Sequence, residues 1–426
     1  MKCTFTGCVP SKSLIEAAAR GASFTEAAAA VRNAVAVIAA TETAAVLQRR
    51  GIEVAGGRAA FRSPRELTAD GRVLRARGFV VATGSRPAVP PVAGLAEVPY
   101  LTSENVFDLT ELPASLAILG GGAVGCELAQ AFARLGSRVT LIEAAQRLLP
   151  AADPAAAKVI GQVFAAEGIT VRVGSPVAEI TIIPNGRGCL LRLHDSTQVT
   201  AQHLLVAAGR TPNTSGLGVA DAGLRLDERG AVAVNGTLAT SAPGVYAAGD
   251  VTGLMPFTHA AYAMGRIAAR NALRKHWPPE ERFSPDGIPW AVFTDPEVAQ
   301  VGLTEEQAAA QSAGARVAYL PMAELDRAVT AGRTEGFVKI IAGPRRVARN
   351  LGGGRVLGAT IVAPRAGEMI GELALAMRTG MFTGRLAQTT HAYPTWSLAI
   401  QQAAAQFFDG YGDRAARPAR SRERQP

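Results

Sequence analysis

Two cysteines lie five residues apart at the start of the chain, in Cys3-Thr4-Phe5-Thr6-Gly7-Cys8-Val9-Pro10-Ser11-Lys12. A bond between them would close so small a loop that it restricts the unfolded chain little, so chemistry explains the pair better than stability does. Pro10 suits the first position of a helix, where a missing N–H costs nothing, and Ser11 to Arg20 continues with good helix formers. Cys8 would then lie at a helix N-terminus, whose partial positive charge favours a thiolate. The spacing alone is equally compatible with two ordinary buried thiols.

A second chemical signal is Gly120-Gly121-Gly122-Ala123-Val124-Gly125, which follows the short apolar run Ala117-Ile118-Leu119 and opens a helix through Arg134. Gly120, Gly122 and Gly125 permit a tight turn and close approach to a pyrophosphate held at the helix N-terminus, while Ala129 lets helix and strand pack closely. The next strand, Arg138 to Ile142, ends at Glu143, placed to bond a ribose 2′-hydroxyl. Strand, glycines, helix, strand and acid in that order predict a dinucleotide site. Glu143 would repel a 2′-phosphate and favours NADH, although nearby Arg147 keeps NADPH open.

Three further strand exits could meet a cofactor: Ala82-Thr83-Gly84-Ser85, Ala208-Gly209-Arg210-Thr211-Pro212-Asn213 and Tyr246-Ala247-Ala248-Gly249-Asp250. The acid at Asp250 can bond the sugar hydroxyls of a nucleotide or cap a helix, and the residues alone leave both open.

These groups need a sizeable scaffold, and 426 residues suffice for two or three domains. The spacing predicts one or two helices over Ser11 to Arg50, broken at Gly21, then short strands such as Ile52 to Val54 and Gly78 to Val81, with a later turn at Asn185-Gly186. From Trp290 the pattern becomes antiparallel β plus helices. It includes a turn at Asp295-Pro296, a capping box at Thr304 and Gln307, strands over 337–341 and 355–362, and a helix ending near Gly380. Charges interrupt every apolar run, so no membrane span or membrane partner is expected. Met1-Lys2 leads straight into the cysteines without a secretory signal. Four cysteines make no disulfide framework, which fits a catalytic pair in a reducing cytoplasm, with Cys126 and Cys189 as core thiols and no resident metal. The net charge of +9 falls to +6 without residues 411–426, an Arg-rich, Pro-containing tail expected to be disordered, so no nucleic-acid partner is inferred.

The cysteine decapeptide, the dinucleotide fingerprint, Gly-Arg-x-Pro-Asn and Tyr-Ala-x-Gly-Asp together resemble the class I pyridine nucleotide-disulfide oxidoreductases, the flavoprotein family of dihydrolipoamide dehydrogenase, glutathione reductase and mercuric reductase. The resemblance covers about residues 1 to 408 and implies an α/β fold: two Rossmann-like FAD/NAD(P)-binding domains plus a C-terminal α+β dimerisation domain. Its parts would be residues 1–111 and 236–285 for FAD, 112–235 for NAD(P), 286–408 for dimerisation, and the tail 409–426. It implies that Cys3 attacks the substrate and Cys8 exchanges electrons with FAD. Lys12 would pair with Glu127 beside the flavin, and Thr83, Gly84, Gly209, Arg210, Gly249, Asp250, Thr258 and His259 would lie near it. A homodimer would share the active site, with Tyr393 facing the partner's Cys3, and a small molecule would accept the electrons.

Three departures qualify this. Nothing before Cys3 matches the family's ADP-binding unit, so an FAD-deficient, non-catalytic relative is one alternative. Tyr393-Pro394-Thr395 stands where dithiol-handling relatives have His-Pro-Thr, and Leu398 stands where they have glutamate. With a pKa of about 10, Tyr393 is a poor base and could instead donate a hydrogen bond or help hold an acceptor; His391, two residues earlier, is open to two readings, a substitute proton donor or a solvated loop histidine. Tyrosine here also resembles mercuric reductases, but no cysteine follows Cys189 to receive Hg(II). A flavoprotein passing electrons directly to quinones is a further alternative.

Overall fold

Cys8 begins a helix. In the computed structural model, which describes residues 2–183, 188–274, 280–345, 350–408 and 411–420, α1 (Lys2–Thr6) and α2 (Cys8–Ala19) meet at Gly7. The helix starts two residues earlier than Pro10 implied, and Pro10 still lies in the first turn, where its missing N–H has no carbonyl to serve. Gly21, at φ +73°, ends α2 as expected. Three further devices were not read from the pattern. Ser23 and Glu26 form a capping box that starts α3 (Phe24–Ala39), the chain breaks again after Ala40, and Thr43 caps α4 (Ala44–Arg49) by accepting from the Val46 N–H. The stretch Phe24–Arg49 is, against expectation, apolar and long enough by composition to cross a membrane, but the break divides it into two helices too short to do so.

Ile52 to Val54 forms no strand. The first antiparallel sheet is instead Ala60–Ser63, Glu66–Ala69 and Arg72–Arg75. Phe79–Val81 is a strand, and it pairs in parallel with Val245–Ala247. Two cofactor exits, at Thr83-Gly84 and Gly249-Asp250, therefore leave the same end of adjacent strands although more than 160 residues separate them. Ser85–Pro87 pairs antiparallel with Arg210–Pro212, which brings the third exit to the same place.

The nucleotide unit is a four-stranded parallel sheet in the order His203–Val206, Ser115–Leu119, Arg138–Ile142, Thr170–Arg172. Leu116, Ala117 and Ile118 are fully buried, as expected for a strand covered on both faces. Two helices flank this sheet: α5 (Ala123–Arg134), which packs against α2, and α6 (Pro154–Ala166), started by the Asp153 cap. The turn expected at Asn185-Gly186 lies outside the described residues. After Asp250 comes α7 (Thr258–Leu273).

The last unit is a six-stranded antiparallel sheet: Trp290–Val292, Glu297–Gly302, Arg355–Ala363, Phe337–Gly343, Arg316–Pro321 and Arg417–Pro418. Around it lie α8 (Glu305–Gln311, with the expected capping box), α9 (Asp326–Thr330), α10 (Ala366–Arg378), α11 (Thr383–Gln388) and α12 (Leu398–Ala405). The edge strand corrects the reading of the tail as disordered. Arg417 adds to the sheet and forms an ion pair with Glu305, and Arg414 pairs with Glu324. Glu305 and Asp153 in turn share the buried Lys339. Those carboxylates supply the counter-charge that composition could not locate, and they hold the chain through Arg420.

Candidate functional site

The N-terminus of α2 and the N-terminus of α7 converge. Cys3 and Cys8 place their sulfurs 3.4 Å apart, and the Thr258 hydroxyl lies 2.7 Å from Cys3 Sγ and 3.5 Å from Cys8 Sγ. Both thiols are free. The pair titrates as a unit, and the thiolate falls on Cys3 rather than on Cys8 as the helix-terminus argument predicts. Hydrogen bonding from the Cys8 thiol pulls Cys3 down to about 5, against burial, and Thr258 assists. The Cys8 thiol is raised by that same bond and by burial. The physical reason is that Cys3 accepts from two donors, and two close hydrogen bonds stabilise a thiolate more than a helix terminus does. In the reduced protein Cys3 should therefore alkylate with a pH midpoint near 5, while Cys8 should stay unmodified at neutral pH. Mass mapping after iodoacetamide pulses checks this, and preferential labelling of Cys8 would contradict it.

One turn into α2, Lys12 Nζ donates to Glu127 Oε2 at 2.8 Å, and Glu127 Oε1 accepts from the Phe293 N–H at 2.9 Å. Glu127 is buried, and Lys12 also lies 4.5 Å from the centre of the Phe293 ring. On the same face of α5, Gln130 and Arg134 bond Asp295. The cysteine helix, the nucleotide helix and the first strands of the last sheet thus meet on one polar seam. Phe293 was missed because its contribution is a backbone N–H, which no side-chain pattern reveals. Beside this seam Glu297 lines a cavity with Lys12, Phe293, Asp295 and Arg365. Burial raises its carboxyl to about 7, only partly offset by the Gly367 N–H and Arg365. Since its folded value lies above the ordinary 4.5, the stability it contributes in acid is lost as pH rises between the two values. Glu297→Gln should thus raise stability above pH 7 by roughly 2 kcal/mol and leave it unchanged below pH 4; urea titrations at both pH values measure this.

The three strand exits form a connected cluster. Ser85 Oγ donates to Asp250 Oδ2 at 2.5 Å, and Arg210 Nε donates to Ser85 Oγ at 2.6 Å while lying 3.3 Å from Asp250. Thr83 Oγ1 donates to the Asn213 carbonyl, and Asn213 Nδ2 donates back to the Thr83 carbonyl. Asp250 is therefore not a helix cap. The polar set fits the flavin end of FAD. The N-terminus of α7 has no side-chain cap, so its first N–H groups are open to a carbonyl-rich ring. Gly84, at φ +70°, faces open space that a larger residue would fill. Gly209 and Gly249 also take positive φ, and a Cβ on Gly249 would press on Ala261. His259, expected beside the flavin, follows Thr258 at the start of α7. Its ring bonds the Pro289 carbonyl at 2.5 Å and stacks on Phe257.

At the dinucleotide loop, a Cβ on Gly125 would lie 1.8 Å from the Gly120 carbonyl oxygen, whereas one on Gly122 would meet nothing within 4 Å. Gly125 is needed for the loop to close on its helix; Gly122 leaves room for a ligand at the uncapped N-terminus of α5, where Val124 is exposed. Glu143 accepts from the N–H groups of Gly121 and Ala145, so it braces the loop and keeps lone pairs for a ribose hydroxyl. Arg147 is committed to the carbonyls of Pro150 and Ala152. Cys126 and Cys189 are buried, with thiols pushed up by burial.

Tyr393 is exposed and donates to Asp326 Oδ2 at 2.9 Å, a bond that raises its phenol above the ordinary range. It is a poor base, as expected. His391, expected as a substitute proton donor or a solvated loop histidine, lies in the loop after α11 with little of its side chain in water. Its side chain is only 7% exposed, and both ring nitrogens are engaged, with the Thr389 carbonyl and Glu372. Glu372 went unnoticed because it is 19 residues from His391, on α10, whereas His391 lies in the loop after α11.

Comparison with known proteins follows the same layout. The family model described as pyridine nucleotide-disulphide oxidoreductase matches residues 1–265, and its dimerisation domain matches residues 288–404. The chain is 35% identical to a dihydrolipoyl dehydrogenase of Thermus scotoductus over 94% of this chain and 88% of that one. It is 38% identical to a mercuric reductase of Streptomyces lividans over 78% of this chain and 68% of that one. Among solved structures, the HOCl-induced flavoprotein disulfide reductase RclA of Escherichia coli superposes with a TM-score of 0.85 at 30% identity, over 95% of this chain and 91% of that one. LpdA of Mycobacterium tuberculosis gives 0.85 at 32%, over 96% and 91%. Likeness that extends through both cofactor units and the dimerisation sheet makes this chain a member of the pyridine nucleotide-disulphide oxidoreductase family, an FAD-dependent, NAD(P)H-using disulfide oxidoreductase that forms homodimers.

Proposed function

We propose that the enzyme uses NADH to reduce a small disulfide through Cys3 and Cys8, and that Tyr393 of one protomer meets the acceptor at the other protomer's Cys3. The observation that carries this is the thiol pair, with sulfurs 3.4 Å apart and the Thr258 hydroxyl 2.7 Å from Cys3 Sγ, an arrangement that lowers the Cys3 thiol and raises that of Cys8. Bound FAD supplies the relay of an electron pair from nicotinamide to sulfur, and Lys12, Thr83, Gly84, Arg210, Asp250 and Thr258 are the residues that would hold it. The Cys3 thiolate attacks one sulfur of the acceptor disulfide, forming a mixed disulfide and releasing a first thiolate, which takes a proton from solvent. Cys8 then gives its proton to the second leaving thiolate and attacks Cys3 Sγ, so the acceptor leaves as two thiols and the protein keeps a Cys3–Cys8 disulfide. Thr258 donates its hydroxyl to Cys3 and stabilises the attacking anion.

NADH is favoured because Glu143 faces the ribose position and Arg147 is already bonded to backbone. The free thiols suit a reducing, cytoplasmic setting. RclA has also been solved as a Cu(II) complex, which makes a thiophilic metal ion the second acceptor to test. Steady-state assays of NADH and NADPH against small disulfides, quinone and Cu(II) decide among these. NADH-dependent disulfide turnover that disappears in Cys3→Ser is expected, and disulfide-independent turnover surviving that substitution would overturn the proposal.

A further inference from the structure

We propose that His391 is a positioning residue, a charged latch that holds the Tyr393 segment in place only while its imidazole is protonated. The inference rests on the reading that Tyr393 meets the acceptor, and its evidence is separate. His391 Nδ1 lies 3.0 Å from the Thr389 carbonyl oxygen, and Nε2 lies 3.1 Å from Glu372 Oε2. A carbonyl and a carboxylate can only accept, so both contacts are hydrogen bonds only if both ring nitrogens donate, which requires imidazolium. A neutral ring would set one lone pair against an oxygen, and with 7% of the side chain exposed, water has little access to relieve it.

The groups facing the ring come from three elements and none opposes a positive charge. Glu372 is on α10, Gln401 on α12, and the Thr389 carbonyl ends α11. Gln401 spends its amide N–H on the Ala387 carbonyl, which leaves its oxygen as an acceptor. Burial pulls the imidazole down, but the Glu372 bond and charge outweigh it, so His391 stays protonated above its ordinary range.

The mechanical consequence follows from the chain. His391 is tied to α10 and α11, and Tyr393, two residues on, is held at its tip by one exposed bond to Asp326 of α9. Two residues beyond Tyr393, Thr395 bonds back to the Ala392 carbonyl and to Ser397, which makes the turn a single small unit. Loss of the proton leaves the ring one donor for two acceptors, so one of the two His391 bonds is lost and the hold on the Tyr393 segment weakens. Because the folded value is raised, the latch contributes fully below the ordinary histidine value and is lost as pH rises through the folded one.

The test uses the FAD-loaded enzyme with labelled histidines, of which the chain has five. Imidazole NMR gives the His391 midpoint, hydrogen exchange corrected for intrinsic rate gives protection of residues 389–397, and kcat/KM for a small disulfide is measured over the same pH range. In wild type, protection and kcat/KM should fall together above the His391 midpoint, kcat/KM by up to about tenfold per pH unit. Glu372→Gln should move all three midpoints down together by about one unit or more. A His391 midpoint at or below the ordinary value, or a protection midpoint that ignores Glu372→Gln, overturns the latch. If Tyr393→Phe retains full kcat/KM while protection still follows His391, the reading of Tyr393 as the acceptor contact is what fails.

Discussion

Cys8→Ser should abolish disulfide reduction, lowering kcat by at least about three orders of magnitude, while NADH binding is retained. Cys8 lies 3.4 Å from Cys3 and no other cysteine can resolve the mixed disulfide, since Cys126 and Cys189 are buried in apolar cores. A serine hydroxyl at that position cannot leave as a stable anion or form a bond to sulfur. The first half of the exchange survives, so the variant should trap one equivalent of acceptor thiol on Cys3, visible as a mass increase reversed by dithiothreitol. Cys3→Ser should also lose turnover, because the sulfur proposed to form the mixed disulfide is gone. NADH affinity, set by the Gly120–Gly125 loop and Glu143, should be the same in both variants by fluorescence titration. Disulfide turnover surviving in Cys8→Ser would show that the thiol pair is not the exchange centre.

Lys12→Met should destabilise the folded enzyme by about 3 kcal/mol, whereas Glu127→Gln should cost about 1 kcal/mol. The asymmetry comes from burial. Glu127 has 5% of its side chain exposed and Lys12 has 30%. Removing the lysine leaves a buried carboxylate with only the Phe293 N–H to satisfy it, and it also removes the cation from the Phe293 ring, worth roughly 0.5–1 kcal/mol. Removing the carboxylate's charge leaves an amide that still accepts from Phe293, and an ammonium that reaches water. Urea unfolding of the two variants and the double variant at neutral pH measures both terms. Equal costs would mean that Glu127 is as solvated as Lys12, against its 5% exposure.

Several functional features were legible in linear order because backbone chemistry demands particular residues there. Gly125 is one, since any side chain would strike the Gly120 carbonyl 1.8 Å away. Pro10 and Gly21 bracket α2 for the same kind of reason. The edge strand at Arg417–Pro418 was not legible. Two residues carry no periodicity, and what orders them is a pair of carboxylates, Glu305 and Glu324, more than 80 positions upstream. The same holds for Ile52 to Val54, whose composition suits a strand but which has no partner strand among the described residues.

By itself, then, the order of residues determined where thiols, glycines and acids stand, and so the kind of chemistry and the succession of parallel and antiparallel units. Those depend on local constraints: φ, the first turn of a helix, a two-residue or 3.6-residue period. Tertiary structure alone decided which groups act on one another. It brought the Thr258 hydroxyl to Cys3 across 255 positions, where it adds to the bond from Cys8 that lowers the Cys3 thiol. It also joined Ser85, Arg210 and Asp250 into one cluster, and gave His391 the Glu372 carboxylate as a partner. Protonation and orientation are set by what lies within about 3 Å in space, and that distance bears no fixed relation to separation along the chain.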